Sequence, residues 1–168
     1  MYICANHKPL NKYSMKKVVL VLAMAIFSLS VNAQAKLVKN EIDSFTGDTK
    51  KITDTYVIGK SETNSRLSAK VMRINNSRFL SLTSYGMGCS GATGNYVIFK
   101  FVDGTTLKLD DDFAEIKCKD GSSSLYSITD EDLSKEIKAI RFRQSKYYDD
   151  FQMNGKVTIS ELINLTKS

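Results

Sequence analysis

Histidine is almost missing: the chain has one, His7, and it precedes an apolar run near the N-terminus. Beyond that run no imidazole exists to activate a serine or cysteine nucleophile or to ligate a metal. Cysteine is scarce as well, with Cys4, Cys89 and Cys118 the only three. A zinc site built on thiolates would need both later cysteines and two further ligands. Long apolar stretches are absent too. The best candidate, residues 18–29, runs for 12 residues, where a membrane-spanning helix needs about 20. One proline, no low-complexity tract and no internal repeat leave no sign of a linker. Carboxylate-only chemistry and a lysine-activated serine survive these exclusions, but nothing positive points to either.

What the N-terminus does hold is the layout of a secretory signal. Lys16 and Lys17 precede the apolar run, and small residues follow at Val31, Ala33 and Ala35. Cleavage after Ala33 is preferred over cleavage after Ala35, so residues 1–33 read as the signal peptide. Residues 1–14 sit upstream of that layout, and a true start at Met15 would make them an artefact of a mis-assigned upstream start. No cysteine closely follows the run, so a lipid anchor is not expected.

Removing the leader changes the charge. The whole chain has 24 basic and 18 acidic residues, and the leader carries Lys8, Lys12, Lys16 and Lys17 with no acid. That leaves 24 − 4 = 20 bases against 18 acids, or about +2. A nucleic-acid surface carries a concentrated basic face; these charges are interspersed. Nucleic acid is not an expected partner. Residues 34–168, 168 − 33 = 135 in number, suit a single globular domain. In an exported chain Cys89 and Cys118 are expected to pair, worth roughly 3–4 kcal/mol in the chain-entropy view; two separate buried thiols are the alternative.

Period-two alternation of β-branched and aromatic residues recurs along this domain. It predicts strands at 52–58, 67–72, 78–84, 95–102, 105–109, 113–118, 139–144 and 147–153. Asp103-Gly104 is a strong hairpin signal. Residues 119–124 read as a loop. Thr129 followed by Asp130, Glu131 and Asp132 predicts a short helix over 130–138. Ile159, Leu162 and Ile163 favour a terminal helix starting near Val157 over a hairpin strand. The expected class is α+β: a mainly antiparallel sheet of about six to eight short strands with one or two short helices.

The Lys16-Lys17 signal ending Val31-Asn32-Ala33-Gln34-Ala35, with the start Glu41-Ile42-Asp43-Ser44-Phe45-Thr46-Gly47-Asp48, resembles the small exported proteins of gut Bacteroidetes. The resemblance implies export from a Gram-negative cell and transfers no activity.

Candidate sites are few. The glycine-rich segment 86–94 resembles an anion cradle but lacks the Lys-Ser/Thr ending of a P-loop. Asp110, Asp111 and Asp112 with Glu115 suggest a cation only by composition, because successive strand residues point to opposite faces. Asp112 with Glu115, or Asp149 with Asp150, would be the pairs for a glycosidase. Tyr147 and Tyr148, with Arg143 nearby, form the best candidate binding patch, since aromatics beside cations suit protein or sugar surfaces. No catalytic residue, metal or cofactor is assigned, and no oligomeric state. The expectation is a periplasmic or extracellular, non-catalytic binding module for a protein partner or cell-surface glycan. The alternatives are a carboxylate-dependent glycan hydrolase and an inhibitor of a secreted enzyme presenting segment 86–94.

Overall fold

A computed structural model describes residues 34–88, 94–117 and 121–167. Period-two alternation dominates its architecture. Eleven antiparallel strands form one sheet: β1 (Leu37–Ile42), β2 (Thr49–Thr53), β3 (Tyr56–Ser61), β4 (Arg66–Ile74), β5 (Ser77–Tyr85), β6 (Tyr96–Phe101), β7 (Thr106–Asp110), β8 (Phe113–Lys117), β9 (Gly121–Ile128), β10 (Ile137–Gln144) and β11 (Tyr147–Met153). Among the described residues one helix, α1 (Ile159–Thr166), lies near the C-terminus. The described residues therefore form an eleven-stranded half-barrel with one short helix, not the α+β sheet of about six to eight strands expected from sequence.

Three local readings change with it. The run 52–58 is not one strand. It breaks at Asp54 and Thr55, so that β2 pairs with the far half of β4 and β3 with the near half. Thr53 repairs the break, its hydroxyl accepting the Val71 amide proton at 3.0 Å. The expected loop 119–124 gives way to β9 from Gly121 onward. The expected helix over 130–138 is one turn, after which β10 begins at Ile137. Its start signal is present: the Thr129 amide donates to Asp132 at 2.7 Å, and the Asp132 amide donates back to the Thr129 hydroxyl at 3.3 Å. What is missing is an apolar stripe. Between residues 129 and 136 only Leu133 is buried, and alternation resumes with Ile140 and Phe142 inward.

The strand order is β7-β6-β10-β11-β3-β4-β5-β9-β8, with the β1–β2 hairpin attached to β4. The two ends of that order, β7 and β8, are separated in the chain by only Asp111 and Asp112. Two residues span at most about 10 Å, so the sheet curls far enough to bring the end of β7 beside the start of β8. Asp110 still pairs with Tyr96 of β6, while the Asp112 amide already bonds the Leu125 carbonyl of β9 at 2.8 Å.

Curling gives the sheet one inner face. Leu67, Ala69 and Val71 of β4, Leu80 and Leu82 of β5, and Val97, Phe99 and Phe101 of β6 fill it. α1 closes it against β2 and β4, burying Ile159, Leu162, Ile163 and Thr166 along one helical stripe. Its start is fixed by a capping box: the Glu161 amide donates to the Thr158 hydroxyl at 3.2 Å, and the Thr158 amide to the Glu161 carboxylate at 2.7 Å. Among the described residues, no helix is long and apolar enough to cross a membrane.

Candidate functional site

Alternation that buries one side of β6, β10 and β11 presents the other side outward. Register then sorts the outward residues into rows across four strands. The first row runs Asp110, Tyr96, Arg143, Tyr148 over β7, β6, β10 and β11. The second runs Lys108, Ile98, Arg141, Asp150, and the third Thr106, Lys100, Ala139, Gln152.

The first row is an alternating stack of rings and cations. Arg143 lies 5.3 Å from the Tyr96 ring centre and donates to the Tyr96 hydroxyl at 3.2 Å, while its Nε donates to the Ser145 carbonyl at 2.7 Å. Lys108 covers Tyr96 at 4.7 Å, and Arg141 lies 5.0 Å from the ring of Tyr148. Such contacts are each worth about 0.5–1 kcal/mol when exposed, and their main effect is to fix ring orientation. Tyr148 remains 62% exposed.

Arg141 is held by a two-pronged bond to Asp150, at 2.7 and 2.6 Å. The same contact keeps the Asp150 carboxyl below the usual carboxylate range and raises the Arg141 guanidinium. Asp110 pairs with Lys108 at 2.8 Å. Four cations (Lys100, Lys108, Arg141, Arg143) thus face two carboxylates, and among the described residues Lys100 and Arg143 have none. Beside the stack the surface sinks into a depression of about 350 Å³, lined by Ile98, Ala139, Lys100, Arg141, Asp150 and Gln152 among others.

Of the residues singled out by sequence, Tyr148 and Arg143 are brought together. Tyr147 is not, because neighbouring strand residues take opposite faces; it lies toward Gly88, with Lys146 5.3 Å from its ring. Arg141, which precedes the tyrosines in sequence, joins the patch as the sequence suggested; Tyr96, Lys108 and Asp150 complete it and were not anticipated as part of it, the alternation opening at Tyr96 being the sequence signal left by the first.

The acid groups do not converge. Asp110 serves Lys108, Asp111 accepts from Asn95 at 3.2 Å, and Asp112 accepts the Ser127 amide. Asp149 accepts a hydrogen bond from the Thr63 hydroxyl, whereas Asp150 faces Arg141 on the other side of the strand. In segment 86–94 the backbone angle φ is positive at Gly86, Gly88 and Gly94; residues 89–93 lie outside the described residues, as do Cys89, Cys118 and the whole leader 1–33.

Comparison of the chain with protein-family models, with curated proteins and with solved structures returns no match.

Proposed function

We propose that this protein is an exported, non-catalytic binding module whose outer β7-β6-β10-β11 face takes a glycan carrying acidic groups. One observation carries the reading: the Tyr96–Arg143–Tyr148 row lies beside a depression rimmed by Lys100 and Arg141. Tyrosine rings offer apolar faces with polar tips, suited to the C–H faces of a sugar ring. Guanidinium groups fixed in one plane suit carboxylates or sulfates. The depression has the volume of a small ligand site. A carboxylate hydrolase would instead bring two carboxyls into one cleft, and Asp149 and Asp150 are turned apart.

The test is calorimetric titration of the purified domain with oligogalacturonate, a carboxylated sugar, and with cello-oligosaccharide, a neutral one. Saturable binding of the acidic oligomer is expected, weakened at least about tenfold (1.4 kcal/mol,) by Tyr148→Ala or Arg143→Ala at unchanged melting temperature. Indifference to both variants would sink the proposal. So would glycan turnover that is lost on removing one acid.

A further inference from the structure

The β4–β5 hairpin turns at Asn75 and Asn76, and register sets Arg73 directly opposite Arg78. Residues facing each other across antiparallel strands share a side of the sheet with β-carbons about 5 Å apart, and like charges there repel. Both belong to the inner series that continues with Val71 and Leu80. Two guanidinium groups therefore stand together at one end of the half-barrel.

They are used differently. Arg73 is engaged locally: its Nε donates to the Asn75 carbonyl at 2.9 Å, and its Nη1 donates to the Thr166 carbonyl at 3.2 Å. The second bond places a cation on the last turn of α1, where the helix dipole favours one. Arg78 is only 6% exposed and meets Asp130 through Nη1. Its Nε is enclosed and, among the described residues, has no acceptor. Burial, together with the nearby Arg73 charge, lowers the Arg78 guanidinium from its ordinary range. An enclosed charged donor without a partner is costly.

Above this pair opens a depression of about 380 Å³. Besides the two arginines it is lined by Ser77, Phe79, Ser127, Ile128, Thr129 and Asp130. Asp130 comes from the 129–133 turn, and its side chain is 63% exposed. A carboxylate that exposed is weakly held. Chemically it is a resident stand-in, already supplying one oxyanion to one edge of Arg78.

We propose that this depression is an oxyanion site, in which a phosphate, sulfate or carboxylate group takes the part of the Arg78 guanidinium that Asp130 now holds, beside Thr129, with Asp130 as the displaceable occupant. Guanidinium supplies paired N–H donors in a plane that matches two oxygens of such a group. The site lies on different strands from the tyrosine face and stands or falls separately from the glycan reading.

The test is an NMR titration of the full exported domain, residues 34–168, tracking the Arg78 Nε–H signal. Inorganic phosphate and glycerol phosphate are added in parallel, with sodium chloride at matched ionic strength as the control. A saturable shift with either phosphate and none with chloride is expected. Saturation by glycerol phosphate would assign the site to an esterified headgroup; saturation by inorganic phosphate alone would assign it to the free ion. Asp130→Asn should tighten binding roughly fivefold, equivalent to about 1 kcal/mol. It should also lower the melting temperature in buffer while enlarging the rise that phosphate produces. Arg78→Lys keeps the charge but loses the planar fork, and should abolish saturation. Should that variant not fold, the unmodified protein and Asp130→Asn decide the matter. Shifts that never saturate, shifts reproduced by chloride, or an unchanged affinity in Asp130→Asn would each overturn the proposal.

Discussion

Gly59 and Met153 are cross-strand partners so closely opposed that the glycine leaves no room for a side chain. A β-carbon at Gly59 would stand 2.6 Å from Met153 Cε and 2.7 Å from the Gln152 carbonyl oxygen. The thioether end can swing aside, but the carbonyl belongs to the β11 backbone. Gly59→Ala is accordingly expected to lower stability by about 1–3 kcal/mol, the usual cost of overfilling a packed site. Urea unfolding should show a lower midpoint at an unchanged slope. A midpoint equal to that of the parent would mean that β3 and β11 are not this close.

Thr53 carries a second expectation. It is fully buried, accepts the Val71 amide proton at 3.0 Å and donates to the Asp54 carbonyl at 3.0 Å. Valine has nearly the same shape but no hydroxyl. Thr53→Val would leave the enclosed Val71 amide unpaired, at a cost of about 1–3 kcal/mol. Thr53→Ser, which keeps the oxygen, should lose less. Equal losses in the two variants would show that volume, not the hydrogen bond, holds the β2–β3 break in place.

Acid should loosen the β6–β7 turn. The Lys135 ammonium at 2.8 Å, with the Thr105 hydroxyl and amide at 2.6 and 2.9 Å, holds the Asp103 carboxyl down to about 2. A carboxyl depressed in the folded state contributes stability that is fully present above its unfolded value, near 3.9, and is lost as pH falls through the folded one. Amide protection at Gly104 and Thr105, taken relative to intrinsic exchange rates, is therefore expected to hold down to about pH 4 and to fall toward pH 2. In Asp103→Asn that pH dependence should disappear. A carboxyl titrating at its ordinary value would contradict the geometry.

The readable parts of the chain are those in which side chain and environment agree. Strands β4, β5 and β6 announce themselves because Val71, Leu80 and Phe99 recur at every second position and bury there. The α1 stripe is equally plain, and it lies where a helix starting near Val157 was expected. β9 hides itself. Ser122, Ser123 and Ser124 have the composition of a loop, yet Ser122 and Ser124 are buried on the inner face, with Ser84 directly opposite Ser122. Small inward residues fit where the curled sheet is tight; a β-carbon at Gly121 would come within 2.6 Å of the Ser84 carbonyl. A polar run so enclosed carries no hydrophobic signal to read.

The tyrosine face divides the same way. Tyr148 and Arg143 are near in sequence and legible as a pair. The Tyr96–Arg143 contact bridges 47 positions of chain, and only the register of β6 against β10 makes it. The twin arginines are a sharper case, since Arg73 and Arg78 look like ordinary surface charges flanking a turn until the curl of the sheet turns both inward.

The two-residue join at Asp111 and Asp112 bears on how the molecule assembles. β6–β7 and β8–β9 are each short-range hairpins that need nothing distant. Setting them on the opposite rims of one curved surface requires β10, β11, β3, β4 and β5 to be in register between them. The local pairings cost the least loop-closure entropy, and the pairing of β3 with β11, which joins residues furthest apart in the chain, costs the most.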